Sequence, residues 1–236
     1  LPLNGAYTPA EVDYFLTDAE PALVVCDPAG AANLAPIAAR IGARIDMLDA
    51  TGRGDLIDGA MTRDPDFPTL ARAGGDLAAI LYTSGTTGRA KGAMLTHDNL
   101  VSNALTLIDV WRFSPADILI HALPIHHTHG LFVASNVALF SGASMIFLPK
   151  FDAGEIITLM SRATVLMGVP TFYTRLLRHP ALSRATAETM RLFISGSAPL
   201  LAETHRAWLD RTGHAILERY GLTETGMNTS NPYDGA

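Results

Sequence analysis

Ser84-Gly85-Thr86-Thr87-Gly88, followed at position 91 by a lysine, is the segment of this chain best equipped to hold a polyphosphate. Phosphate oxygens need donors that approach closely. Glycine permits the approach by lacking a side chain, and serine and threonine add O–H groups. Lys91 adds a mobile cation, and it stands out because only Lys91 and Lys150 are lysines in an arginine-dominated background. The spacing departs from the common P-loop, whose lysine precedes Ser or Thr, because Lys91 precedes Gly92. A Walker-type ATPase is therefore disfavoured. A flexible connection without a ligand would have a similar composition, but the apolar run upstream and the added lysine favour anion binding.

Three histidines, His126, His127 and His129, suggest a metal site, since imidazoles are common ligands. No cysteine accompanies them and no carboxylate lies within the cluster, so the usual zinc sets are not evident. The single cysteine, Cys26, has no internal disulfide partner and sits in an apolar run, where a buried packing role is expected.

The elements that must position these groups read as an α/β alternation. Thr8-Pro9-Ala10-Glu11 is a capping-box pattern opening a helix to about Asp18. A strand at 22–26, a helix near 33–41 and a short strand near 45–48 follow, and then a Gly/Asp/Pro-rich stretch, 49–75, reads as a surface connection. The apolar run 76–83 feeds the glycine segment, and 98–111 reads as a helix, so the loop is expected to join strand to helix and to gain the positive end of its dipole. Further strands are expected at 118–122, 144–148, 164–168, 192–195 and 215–218, with helices between them. This pattern argues for a sheet covered on both faces, with binding loops beyond the strands' carboxyl ends. No repeat, heptad run or clear linker divides the chain.

Composition sets the outer limits. The 236 residues are 48% hydrophobic and 17% charged, enough for a large core. A formal charge of -6 offers no basic field for nucleic acid or an anionic membrane. Mean hydropathy is +0.21, yet no uninterrupted apolar stretch approaches the roughly 18 residues that span a bilayer. A cytoplasmic protein is expected. The start, LPLNGAYTP, shows no targeting signal and no initiator Met.

Tyr82-Thr83-Ser84-Gly85-Thr86-Thr87-Gly88-Arg89-Ala90-Lys91-Gly92 resembles the signature of the adenylate-forming enzymes: acyl-CoA synthetases, luciferases and peptide-synthetase adenylation domains. Two further segments, Pro124 to Gly130 (PIHHTHG) and Tyr220 to Thr225 (YGLTET), resemble later motifs of that family, in the expected order. The resemblance implies layered sheets flanked by helices, as in the large N-terminal domain of such enzymes. It implies that Thr83, Ser84, Thr86, Thr87 and Lys91 contact the β- and γ-phosphates of ATP, with Gly85 and Gly88 allowing the close approach. Tyr220 and Gly221 would border adenine, as would Gly196, Ser197, Ala198 and Pro199. Thr223 would hydrogen-bond the α-phosphate. Glu224 would hold Mg²⁺, which suits a metal that favours a carboxylate with phosphate oxygens, although Glu224 alone reads equally as a solvated acid. His127 would orient the substrate carboxylate or the α-phosphate. The implied reaction is attack of a carboxylate on the α-phosphorus, giving an acyl-adenylate and pyrophosphate, after which CoA displaces AMP.

The acid is suggested by Arg175, in a segment that usually helps wall the family's acyl pocket. A buried arginine is costly without an anion, but it pairs well with a second carboxylate. A solvated helix arginine is the alternative. Ser195 or Ser197 would be a further donor. Across nearly its whole length the chain is most similar to malonyl-CoA synthetases, which implies malonate or methylmalonate. Other readings are another small carboxylic acid or a catalytically silent nucleotide-binding fragment. The resemblance also implies longer enzymes, with a first segment before Leu1 and a small domain after Ala236, so a partial AMP-binding domain is expected over 1–236.

Overall fold

The computed structural model describes residues 1–83 and 89–234. The chain forms two compact units, one built mainly from Leu3–Ala73 with Tyr82–Gly92, the other from Gly74–Leu81 with Ala93–Ala236. The core of the glycine segment, Ser84, Gly85, Thr86, Thr87 and Gly88, lies outside the described residues.

In the first unit, α1 (Pro9–Ala19) opens as expected. The Thr8 N–H donates to the Glu11 carboxylate (2.7 Å), and the Thr8 hydroxyl accepts from the Glu11 N–H (3.3 Å). β1 (Leu23–Cys26) pairs in parallel with β2 (Arg44–Met47) through α2 (Pro28–Ile41). This helix starts five residues before the expected Asn33, because Asp27 caps the Ala29 N–H and Pro28 occupies the first turn. Cys26 is only half-buried, and Leu23 and Val25 of the same strand are exposed, so its expected burial is corrected. The stretch 49–75 is not all connection. It contains α3 (Asp55–Met61), which buries none of its residues and so carries no amphipathic signal.

β3 (Leu77–Thr83) pairs with β4 (Lys91–Thr96), and this corrects the strand-to-helix expectation: the glycine segment joins two strands. Met94 is exposed and its neighbour Leu95 is buried, as the opposite faces of a strand allow. Helix α4 (His97–Val110) begins only after β4, capped reciprocally by Thr96 and Asn99, so its dipole does not start at the loop.

The second unit is organised by one six-stranded sheet, formed by β5 (Ile118–His121), β6 (Ser144–Phe147), β7 (Val165–Gly168), β8 (Leu192–Ser195), β9 (Ile216–Leu222) and β10 (Gly226–Ser230). Its order is β10-β9-β8-β7-β5-β6, parallel except for β10. Every residue of β7 and β8 is buried, as central strands with both faces covered require. A π-helical turn (His129–Ala134) runs into α5 (Ser135–Phe140), and α5 packs with α4. Helices α6 (Ala153–Met160), α7 (Pro170–Leu177) and α8 (Ala202–Thr212) pack in series. Right-handed crossovers explain the two groups: the chain steps one way from β5 to β6 and the other way from β7 to β9. The reversal makes a switch point between the carboxyl ends of β5 and β7, where open α/β sheets bind ligands. Among the described residues no helix is long and apolar enough to cross a membrane.

At the opposite end of the sheet, Asp117 ties together the starts of three strands. Its carboxylate accepts from Arg191 Nε (2.6 Å) and Nη2 (2.7 Å), from the Thr164 hydroxyl (2.8 Å) and from the Ser114 N–H (2.9 Å). Burial alone would raise this carboxyl, but the hydrogen bonds from Arg191, Thr164 and Ser114 outweigh it and hold it below its ordinary value. Because the folded value is depressed, its contribution to stability is complete above the unfolded pKa of about 3.9 and is lost as pH falls through the lower folded value. Asp117→Ala strands a half-buried guanidinium, and we expect a loss of about 3 kcal/mol, read from urea unfolding midpoints at pH 7 and shrinking below pH 4.

Candidate functional site

In the first unit, both stems of the glycine segment rest on α1. Tyr14 donates its hydroxyl to the Ala90 carbonyl (2.8 Å), and the Arg89 guanidinium lies 4.1 Å from the Tyr14 ring centre. On the other stem, the Tyr82 ring stacks on Phe15 at 4.4 Å, and its hydroxyl donates to Asp18. Thr83 and Lys91 therefore stand at the ends of two anchored strands, Thr83 half-buried and Lys91 exposed.

In the second unit, the expected residues gather at the carboxyl ends of β8 and β9. Ser197, Ala198, Pro199, Tyr220 and Gly221 line one open cavity of about 510 Å³, and Tyr220 presents an exposed ring to it. Ser197 is one of three non-glycine residues with positive φ (69°) among the described residues, a conformation that costs about 1–3 kcal/mol and concentrates at functional sites. Gly196 lies buried behind it. Thr223 and Glu224 line a second cavity of about 260 Å³ with Thr128 and Gly226. Glu224 is exposed in the turn between β9 and β10 and brings a carboxylate to that cavity. That donor set fits magnesium shared with a nucleotide.

The histidines separate by environment. His127 is exposed, with its ring 4.4 Å from that of His126. His129 is 4% exposed, and burial, with the charges of Arg219 and His121 nearby, holds its pKa well below the ordinary imidazole value. It is therefore neutral where an ordinary histidine titrates. The loop is pinned from below: His121 Nε2 lies 2.9 Å from the Gly130 carbonyl, which also accepts from the Ser135 hydroxyl (3.0 Å). Only glycine fits at 130, since a Cβ there would stand 2.4 Å from the Pro124 oxygen. Among the described residues no three His, Cys, Asp or Glu side chains are grouped to hold a metal ion.

Sequence reasoning missed Arg219. It is 6% exposed, and none of the ion pairs among the described residues involves it. Burial, opposed weakly by Tyr173, pulls its guanidinium down to about 10, so it remains a cation at neutral pH. Its Nη2 reaches the Ser197 hydroxyl at 3.5 Å, and that hydroxyl lies 3.4 Å from His129 Nδ1. Arg219 Nε, His129 Nε2 and Ser195 Oγ are all buried with no hydrogen-bond partner among the described residues. The signal was in the strand: Arg219 shares the parity of buried Leu217, so it points into the sheet's covered face. Arg175, by contrast, is exposed on α7 with its guanidinium 4.3 Å from the Phe151 ring centre. Of the two arginines, Arg219 is the buried one.

The chain superposes on the crystal structure of ATP-bound MatB from Rhodopseudomonas palustris with a TM-score of 0.97 and 68% identity, covering 100% of this chain and 47% of that one. A malonyl-CoA ligase ternary product complex with methylmalonyl-CoA and AMP bound matches with a TM-score of 0.83 and 34% identity, over 100% of this chain and 49% of that one. The mitochondrial malonate–CoA ligase ACSF3 of Mus musculus is 36% identical over 98% of this chain, which spans 42% of that enzyme's length. The AMP-binding enzyme family matches residues 1–236. With its α/β architecture and motif order agreeing along its whole length, the chain belongs to the AMP-binding enzyme family.

Proposed function

We propose that this chain carries nucleotide-binding and acid-binding parts of an ATP-dependent ligase that activates malonate or methylmalonate. The acid's carboxylate attacks the α-phosphorus of ATP, pyrophosphate leaves, and the CoA thiol then takes the acyl group from the adenylate, releasing AMP. The observation that carries the choice of acid is Arg219, a buried cation with no carboxylate partner among the described residues. Such a group is expensive unless an anion completes it, and a diacid brings a second carboxylate that a monoacid lacks. Ser197 and Ser195 are the hydroxyls placed to share that carboxylate, and neutral His129 adds a hydrogen-bonding ring without competing charge.

Arg175, exposed on α7, is the alternative partner for the second carboxylate, and the remaining site residues have these roles. Thr83, Ser84, Thr86, Thr87 and Lys91 grip the outer phosphates, and Tyr220 with the Gly196–Pro199 segment receives adenine. Thr223 hydrogen-bonds the α-phosphate, and exposed His127 meets the reacting carboxylate. Glu224 is the residue that would hold magnesium, which when bound offsets the repulsion between two anions. The protein's own donors stabilise charge growing on the leaving pyrophosphate.

The test is ATP–pyrophosphate exchange across a panel of acids, in a protein that carries this chain at the full length of its relatives. Malonate and methylmalonate should exceed acetate and butyrate by at least about 100-fold in kcat/KM, the scale of one buried charged pair. Equal use of monoacids would reject the diacid reading.

A further inference from the structure

Helix α4 reaches the turn that carries Thr223 and Glu224 through one side chain. Asn103 donates from Nδ2 to the Met227 carbonyl (3.0 Å), and its Oδ1 accepts from the Met227 N–H (3.1 Å). Met227 lies on β10, the edge strand of the sheet, beside an irregularity in its pairing with β9. The asparagine amide thus supplies the donor and the acceptor that a neighbouring strand would have supplied. The approach is close enough to constrain sequence. A Cβ on Gly226 would stand 2.8 Å from Asn103 Oδ1, and Gly226 also has a φ of +68°. Gly221, before the turn, faces the Gly226 carbonyl at 2.2 Å from where a Cβ would sit. The turn is therefore bounded by two glycines packed against each other and by one amide from α4. A second tie from the same region, Trp111 Nε1 to the Ser230 hydroxyl (2.9 Å), holds the far end of β10.

We propose that Asn103 is a positioning residue for adenylation: its paired hydrogen bonds to Met227 fix the height and rotation of the Thr223–Gly226 turn, and so fix where the Thr223 hydroxyl and the Glu224 carboxylate stand. The inference rests on the reading that this turn meets the nucleotide phosphates and magnesium. Asn103 needs no contact with substrate. A backbone turn released from a two-point anchor shifts by fractions of an ångström, and misplacement of about 1 Å is enough to cost about 100-fold in rate.

The experiment compares Asn103→Leu, Asn103→Ser, Ser230→Ala and Glu224→Gln in the full-length protein. Malonate-dependent ATP–pyrophosphate exchange is titrated with Mg²⁺, the Mg²⁺ dependence of ATP binding is followed by calorimetry, and Tm is recorded. Asn103→Leu should lower the exchange kcat by about 10- to 100-fold and raise the Mg²⁺ requirement several-fold in both assays, with the malonate KM unchanged. Ser230→Ala, which removes the tie at the other end of the same strand, should lower Tm comparably yet leave rate and Mg²⁺ requirement within about twofold. Asn103→Ser, too short to make both bonds, carries the same expectation as Asn103→Leu should the leucine variant not fold. Should the Asn103 variants keep the wild-type Mg²⁺ requirement and rate while Glu224→Gln loses both, the positioning role is overturned and the placement of the turn at the nucleotide stands. Should Glu224→Gln behave as wild type, that placement itself fails. Equal losses in Asn103→Leu and Ser230→Ala would reduce Asn103 to a structural tie and overturn the proposal.

Discussion

Arg219→Met is expected to lower kcat/KM for malonate by about 100-fold or more while leaving ATP binding and the use of monocarboxylic acids near their original levels. The effect is electrostatic. Arg219 is 6% exposed, with an unpartnered Nε, and among the described residues the Ser197 hydroxyl is the one hydrogen-bond partner of its guanidinium. A carboxylate entering that position forms charge-assisted bonds in a desolvated setting, and losing one partner of such a pair costs about 2–5 kcal/mol. Stability should move in the other direction. Removing a buried cation that lacks a counter-charge relieves a desolvation penalty, so Arg219→Met should keep or raise Tm. A residue present for folding would show the reverse: lower Tm and unchanged acid preference. Arg175→Leu is the necessary comparison, because Arg175 stands exposed against Phe151 and forms at most a screened contact with substrate in that position. If malonate use collapses in Arg175→Leu and survives in Arg219→Met, the second carboxylate belongs to Arg175.

The difference in burial between these arginines marks where the sequence stopped being legible. The strand-helix alternation was readable because each central strand is a short apolar run: 192–195 coincides with β8, and 118–122, 144–148 and 164–168 each differ from the observed strand by one residue. The motifs were readable because glycine, threonine and tyrosine appear at fixed spacings. Burial of a single charged side chain was not. Arg175 sits among Phe172, Tyr173 and Leu176, all buried, yet the helical period turns it outward. Arg219 follows Glu218 in a stretch that looks like a polar strand end, yet the twofold strand period turns it inward. The β3–β4 ladder was missed for a related reason. Its second strand, Lys91–Thr96, is short and begins with Lys-Gly, so local composition pointed past it to the strongly capped helix at His97. The Asn103–Met227 pair spans 124 positions and leaves no local trace in the sequence.

Gly196→Ala is expected to reproduce much of the Arg219 defect without touching a charged group. A Cβ at Gly196 would lie 2.4 Å from Arg219 Cζ and 2.5 Å from both Nε and Nη1, distances no real contact sustains, so the guanidinium must move. Gly196 is not among the residues with positive φ, so alanine fits the backbone, and loss of glycine's freedom in the unfolded chain favours the folded state by about 0.4–1 kcal/mol. The displaced cation has few places to go, because Arg219 is itself 6% exposed and lies near buried His129 and Tyr173. We therefore expect malonate KM to rise about tenfold or more, with Tm little changed and acetate use unaffected. The double variant separates this from damage to the cavity proposed to receive adenine, which Ser197 and Pro199 line just beyond Gly196. If the alanine acts through Arg219, then adding Gly196→Ala to Arg219→Met should cost almost nothing further, giving a coupling free energy close to the whole effect of the single change. If it acts on adenine, the two losses should add and AMP affinity should fall in both backgrounds. A double-mutant cycle on malonate kcat/KM, with AMP binding measured in parallel, decides between them.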